Sequence, residues 1–403
     1  MAKLRFESLD LHVNDRCNLR CKYCYIFSKD HHRLPDISDE LVAKLPAVAK
    51  KLGVKAVNFF GGEPMLSFEK IRKIVELLEP LGVRFTIVTN GTTCTPEQAA
   101  FIQKHRIGTQ RSIDGCPEAC AYNRPNVTEK YLRLTDFFKD RNRPRRSTFT
   151  PENVHLLHKS WLWLKENGFA AGWTPIPDLY AKWNEAHIIV FQQELFKIAR
   201  DFIQHMRKTK KPFYFYWFDR VAPALRDNGS GQSRKGCGAG ATLVALRQDG
   251  YFFACHRFVT EKPDSDWCLG HVDELLADST TFGLKGQAKE AIEKCRLRFA
   301  QAKEFEQCKH CPVKAGCSGG CYHTNLAATG NAAMPQEEYC KFRRAVLPVV
   351  QFIDRELKGE FPDWWRRNAS NKKQSDCCGK VASDSRRGSE RRPDQIVSSN
   401  VGR

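Results

Sequence analysis

At 403 residues with 41% hydrophobic side chains, the chain holds enough apolar matter for one large or two medium domains. Its formal net charge of +19 raises nucleic acid as a partner, but the basic stretch 139–146 and the tail from Asn368 lack the aromatic interleaving of a single-strand binder. No apolar run is long enough to span a membrane and no signal-peptide core follows Met1, so the reading is cytoplasmic, and 17 cysteines then imply bound metal rather than disulfides.

In chain order, residues 4–14 alternate, with Phe6, Leu9, Leu11 and Val13 as the apolar positions, the mark of a strand. Residues 38–52 have helical period. Residues 55–60 form a short apolar strand ending in Gly61-Gly62, and Ser67 caps a helix through Leu78. A third strand spans 83–89, and Thr95-Pro96-Glu97-Gln98 is a capping box with proline at the first helical position. A strand at 110–113, a helix at 128–138, a strand at 147–150, a helix from Pro151 and a strand at 170–175 complete the rhythm. Six strand–helix units predict an α/β fold, a partial (βα)6 TIM-like barrel over residues 1–184 with ligands at the C-terminal ends of the strands. Residues 185–235 read as a helical, aromatic connecting region whose run Phe213-Tyr-Phe-Tyr-Trp-Phe218 is mostly core. Residues 236–357 are Gly- and Cys-rich, a second domain held by metal and ending in a helix at 341–357. Residues 358–403 read as a basic, disordered tail, in which Cys377 and Cys378 are given no role. Both basic segments are expected to be solvated, or to meet an acidic partner such as a peptide or a flavodoxin.

The sharpest motif is Cys17-Asn-Leu-Arg-Cys21-Lys-Tyr-Cys24. Three thiolates at this spacing can hold three irons of a [4Fe-4S] cluster and leave the fourth open, which suits a reactive site. A zinc knuckle short of one ligand is the structural alternative. Here the sequence resembles the radical S-adenosylmethionine (SAM) enzymes, whose unique iron chelates the amino and carboxylate groups of SAM. That resemblance implies further roles. Gly61-Gly62-Glu63-Pro64 would grip the SAM amino group, with the glycines admitting the ligand closely and Glu63 accepting from an ammonium. Thr89, Asn90, Ser112 and Asp114 would line the SAM pocket, Ser112 near the carboxylate, with Arg124 a further carboxylate partner. The Tyr23 backbone would meet the adenine. For Thr89 and Asp114, turn capping is the alternative. In this family an electron from the reduced cluster cleaves SAM, and the 5′-deoxyadenosyl radical takes a hydrogen atom from substrate.

A second set runs Cys308-x2-Cys311-x5-Cys317-x3-Cys321, then Cys340, with Cys237 and Gly250-x4-Cys255 upstream. Together these resemble the seven-cysteine SPASM domain of radical SAM enzymes that modify peptides and proteins. The resemblance assigns Cys237, Cys255 and Cys321 to a first auxiliary Fe–S cluster, and Cys308, Cys311, Cys317 and Cys340 to a second. The fourth iron of the first would be open to substrate or take a ligand such as Cys268. A zinc ribbon on Cys308, Cys311, Cys317 and Cys321 would leave the others unexplained. Cys94 and Cys295 are unassigned, and Cys116 and Cys120 are either reactive thiols near the pocket or ordinary buried cysteines.

His256, in Cys255-His256-Arg257-Phe258, is the candidate catalytic residue. Anaerobic sulfatase-maturing enzymes carry an aspartate there as base, so the histidine departs from them. With Leu269-Gly270-His271-Val272 it looks closer to maturases of ribosomal peptides. The first strand begins too early for an N-terminal leader-binding module, so a leader would be recognised by a separate protein, by the basic surface, or not at all. The expected activity is an intramolecular thioether or carbon–carbon cross-link on a peptide, with a flavodoxin or ferredoxin as electron donor. Formylglycine formation is the second enzyme reading; an Fe–S electron carrier or zinc-stabilised binding protein is the non-enzyme one.

Overall fold

The computed structural model describes residues 5–27, 33–124, 145–169, 172–226, 237–277, 282–286, 288–290, 305–314 and 317–364. The predicted helix at 128–138, most of the basic stretch 139–146, Cys295 and most of the tail, with Cys377 and Cys378, lie outside these residues.

Among the described residues, six strands alternating with five helices open the chain: β1 (Ser8–His12), α1 (Asp39–Leu52), β2 (Ala56–Phe60), α2 (Phe68–Leu78), β3 (Arg84–Thr89), α3 (Pro96–Lys104), β4 (Gly108–Ser112), α4 (Pro117–Asn123), β5 (Arg145–Phe149), α5 (Leu157–Glu166) and β6 (Trp173–Pro177). Each strand pairs in parallel with the next. Local chemistry sets the helix ends. The Ser38 hydroxyl accepts from the Leu41 amide at 3.1 Å, acidic Asp39 and Glu40 open α1, and Gly53 closes it in the left-handed region. Thr95 and Gln98 form the reciprocal capping box at α3. The buried face of α1, with the apolar face of α2, covers Leu9, Leu11, Val57, Phe59 and Ile87 of the sheet.

Two predicted details are corrected. Ser67 stands at the start of α2 but makes no cap bond; its hydroxyl accepts from Asn14 and donates to Asp36, tying the helix to the loop after β1. After β5 the chain does not enter a helix at Pro151. Asn153 accepts from the Thr150 amide and turns the backbone first, so α5 begins at Leu157. The expectation of a solvated basic run also fails at its described end. Arg145 is fully buried on β5, its guanidinium 4.8 Å above the Phe169 ring.

Beyond β6 come α6 (Glu185–Thr209), α7 (Tyr216–Val221), β7 (Leu243–Leu246), β8 (Tyr251–Phe253), β9 (Cys268–His271), α8 (Val272–Ala277), a helical turn at Glu306–Lys309, α9 (Tyr322–Thr329) and α10 (Glu337–Leu357). Strands β7 to β9 were not foreseen. They extend the barrel sheet from the free edge of β1, giving nine strands in the order β6-β5-β4-β3-β2-β1-β7-β8-β9. β7 is parallel to β1, with Ser8 opposite Leu243, and β8 and β9 follow antiparallel. The second cysteine-rich segment is therefore continuous with the barrel sheet. An aromatic core of Phe149, Phe191, Phe215, Trp217, Phe218 and Phe342 joins β5 to α6, α7 and α10, so the run from Phe213 serves packing as expected. Among the described residues no helix is long and apolar enough to cross a membrane.

Candidate active site

The loop leaving β1 is pinned against the Gly61-Gly62-Glu63 turn leaving β2. Gly62 and Glu63 donate their amides to the carbonyls of Asn14 and Arg16 at 3.0 and 2.7 Å, and the Asn14 side chain donates to the Glu63 carbonyl at 3.1 Å. A Cβ on Gly61 would lie 2.5 Å from the Asn14 oxygen, and one on Gly62 2.2 Å from the Arg16 oxygen. The close approach that demands glycine here is to the protein's own cysteine loop, which packs that loop against the turn expected to meet SAM. Glu63 also has partners inside the protein. Its buried carboxylate accepts from the Thr89 hydroxyl (2.6 Å) and from the Asn90 and Met65 amides (2.7 and 3.1 Å), so it braces β2 to β3. Burial pushes its pKa up, and these donors pull it back. Gly62→Ala must displace backbone rather than a flexible side chain. It is expected to cost about 3 kcal/mol, the upper end for overpacking, and to lower iron bound at Cys17, Cys21 and Cys24. Iron analysis and the unfolding midpoint of the anaerobic protein check this.

Thr89 also accepts from the Gly91 amide at 2.9 Å, so its hydroxyl caps the turn. Asn90 reaches the cysteine loop, donating to Asn18 at 2.9 Å with its amide nitrogen 4.0 Å from the Cys17 sulfur. Ser112 is half-buried at the end of β4. The structure brings Tyr23, Asp114 and Arg124 together as one knot. The Tyr23 hydroxyl lies 2.7 Å from both Asp114 oxygens and 2.5 Å from an Arg124 nitrogen, while Arg124 Nε lies 3.3 Å from Asp114. Asp114 also accepts from the Thr148 amide at 3.0 Å. These groups, expected around SAM, are engaged with one another. The knot fixes the cysteine loop to β4, and a backbone bond from Lys22 to Asn123 reinforces it.

His256 leans over the face of β1 and β2 that is turned away from the helices. Its Nδ1 is 2.7 Å from Asp10, whose other oxygen accepts from Asn58 at 2.9 Å. The ring stacks on Phe60 at 4.5 Å between centroids, and Phe60 lies against His12 at 5.9 Å. Donation from Nδ1 to the carboxylate leaves Nε2 as the free acceptor. Asp10 was missed. The signal was there: Asp10 and His12 interrupt the apolar positions of β1 on one face, and that face is buried.

The cysteines fall into three groups whose members feel one another's charge. The Cys21 thiol is pushed up to about 11, first by burial, with Cys17 and Cys24 adding to it and Arg124 opposing. Burial also raises Cys255, followed by its neighbours Cys237 and Cys321. Burial pushes Cys340 up to about 12, with Cys317 and Cys308 contributing. In each group one sulfur accepts a backbone N–H from two residues on: Leu19 to Cys17 at 3.4 Å, Arg257 to Cys255 at 3.4 Å and Gly319 to Cys317 at 3.2 Å. Such bonds favour the thiolate, the form that binds iron and tunes its potential. A [4Fe-4S] cluster takes one thiolate per iron, and Cys17, Cys21 and Cys24 are three neighbouring thiols. Cys268 is not drawn into any of the three groups. It lies buried on β9, and its charged neighbours are Arg247, Glu274 and Lys285. Cys116 and Cys120 are buried, Cys116 beside the Ser160 hydroxyl.

Residues 11–151 match the Radical SAM superfamily. The chain carries a radical SAM domain. Enzymes of that superfamily use SAM with a [4Fe-4S] cluster. A GTP 3′,8-cyclase from Synechococcus sp. is 39% identical over 94 residues, which are 23% of this chain and only 27% of that protein. A serine-type anaerobic sulfatase-maturating enzyme from Klebsiella pneumoniae is 22% identical over 376 residues, 88% of this chain and 90% of that protein. Among solved structures, native anSMEcpe with bound AdoMet and the Cp18Cys peptide superposes with a TM-score of 0.63 at 20% identity, covering 86% of this chain and 99% of that one. The shared fold extends past the radical SAM domain into the cysteine-rich segment, because 86% coverage cannot be reached within residues 1–184.

Proposed function

We propose that the protein is a radical SAM maturase that oxidises a peptide or protein side chain or α-carbon, with three Fe–S clusters. The active cluster is assigned to Cys17, Cys21 and Cys24. The first auxiliary cluster is assigned to Cys237, Cys255 and Cys321, and the second to Cys308, Cys311, Cys317 and Cys340. When bound, SAM and the active cluster supply a 5′-deoxyadenosyl radical that removes a hydrogen atom from substrate. The chain's own groups do the rest. Gly61, Gly62 and Glu63 lock the cysteine loop to the sheet, Thr89, Asn90 and Ser112 frame the strand ends, and the Tyr23–Asp114–Arg124 knot holds the loop's far side. His256, oriented by Asp10, receives at Nε2 the proton that the substrate loses.

The observation that carries this reading is that nine of the ten assigned cysteines fall into three sets, each with an N–H donated to sulfur. The outcome we favour is an intramolecular thioether or carbon–carbon cross-link, because His256 stands where sulfatase-maturing enzymes have aspartate. Formylglycine formation is the second reading. It is favoured by the Asp10 carboxylate behind His256 and by likeness to a sulfatase-maturating enzyme along most of the chain. Both readings remove two hydrogens from a peptide. They involve a flavodoxin- or ferredoxin-type donor, and the first adds a separate leader-binding protein.

The test is mass spectrometry of two substrates incubated anaerobically with reconstituted enzyme, SAM and reductant: a short ribosomal peptide and a sulfatase-type peptide bearing Cys or Ser. Loss of two hydrogens with fragmentation blocked between two residues supports the cross-link, and an aldehyde on the second peptide supports sulfatase maturation. Cys317→Ala is expected to lose modification while retaining SAM cleavage. Modification undiminished in that variant would count against an essential second auxiliary cluster.

A further inference from the structure

Cys24 is followed directly by Tyr25, and Cys255 directly by His256 and Arg257. These followers touch. The Tyr25 and His256 ring centroids are 6.1 Å apart, and the Arg257 guanidinium carbon lies 5.2 Å from the Tyr25 centroid. His256 cannot swing freely, since Asp10 holds its Nδ1 at 2.7 Å and Phe60 stacks on its other side at 4.5 Å. Cys24, Tyr25 and Cys255 pack in one apolar cluster with Phe253, Phe258 and Trp267.

We propose that the Tyr25–His256 contact is the route by which an electron passes between the active site at Cys17, Cys21 and Cys24 and the first auxiliary site at Cys237, Cys255 and Cys321. The proposal rests on reading those cysteines as cluster ligands. Electron tunnelling weakens steeply across any gap not spanned by bonds. From each thiolate the path runs through covalent bonds to a ring, and only the ring-to-ring step is through space. Arg257 fills the side of that gap with a cation beside the Tyr25 face. The electron comes from the chemical reductant and rests on the auxiliary site. It crosses to the active site and is consumed there as the sulfur–carbon bond of SAM breaks, yielding methionine and the adenosyl fragment.

The experiment uses full-length reconstituted protein, given less than one electron per chain by titrated reductant and frozen at intervals after SAM is added. Electron paramagnetic resonance follows the auxiliary signal without peptide present. In the parent protein this signal should drain, with 5′-deoxyadenosine rising to match. Tyr25→Phe, which keeps the ring, should drain alike. Tyr25→Leu should slow the drain several-fold at unchanged iron content. His256→Gln, which keeps a polar partner for Asp10 but removes the ring, should do the same and serves if Tyr25→Leu fails to fold. Drainage at the parent rate in both ring-less variants overturns the relay, as does an auxiliary signal that never drains in the parent. If the parent binds iron for one cluster only, the assignment of the auxiliary site fails first, and the relay falls with it.

Discussion

Cys21→Ala is expected to abolish reductive cleavage of SAM and to leave the iron of the proposed auxiliary sites in place. Cys21 is the middle thiol of its loop, with Cys17 and Cys24 on either side and Arg124 and Asp114 behind it. Two remaining thiolates cannot anchor a cluster whose fourth iron must stay open for a ligand. No other described thiol replaces it: Cys94 lies outside the three cysteine groups, and Cys116 and Cys120 are buried. The readout is 5′-deoxyadenosine formed anaerobically with excess reductant, together with iron per chain. Cys94→Ala, matched for burial but outside all three groups, should keep both. Full cleavage by Cys21→Ala would remove this loop from the chemistry.

Much of the barrel was legible because each element followed one dominant local rule. β1 to β3 have one face against α1 and α2, and so show their alternation. α1 and α3 carry their own caps. Strands β7 and β8, at four and three residues, are too short to show a period, and their place beside β1 is set by a contact more than 200 residues away in sequence. The cysteine spacing named the loops but not their supports. Asn14 and Asn18 do their work through partners far along the chain, and nothing local in sequence marks them. Glu63 shows the converse. Its motif was recognised, but not the donors from β3 that its buried carboxylate collects, because a buried charge takes donors wherever they are nearest. Tyr23 was read for its backbone and Asp114 and Arg124 as pocket residues; the hydrogen bonds among their three side chains were not foreseen.

That knot yields the largest stability effect expected from a single side chain. In the Arg124–Asp114 pair the side chains are 9% and 0% exposed, so solvent cannot compensate for losing the cation. Arg124→Met leaves the Asp114 carboxylate buried with only the Tyr23 hydroxyl and the Thr148 amide, a loss of about 3–5 kcal/mol for breaking such a pair. Arg124→Lys should recover only part, since an ammonium cannot reproduce the fork that meets Asp114 and Tyr23 together. The double change Arg124→Met with Asp114→Asn should cost clearly less than the two single changes added, because it leaves no orphaned charge. Denaturant midpoints of the anaerobic protein measure these differences. A loss below about 1 kcal/mol for Arg124→Met would mean that the pair behaves as a solvated one. The consequence for the site is local. Tyr23 lies between Cys21 and Cys24, so freeing its hydroxyl loosens the loop that places two thiols. Iron at the active site should therefore fall in Arg124→Met while the auxiliary sites, held by β8 and the segments around α9 and α10, keep theirs.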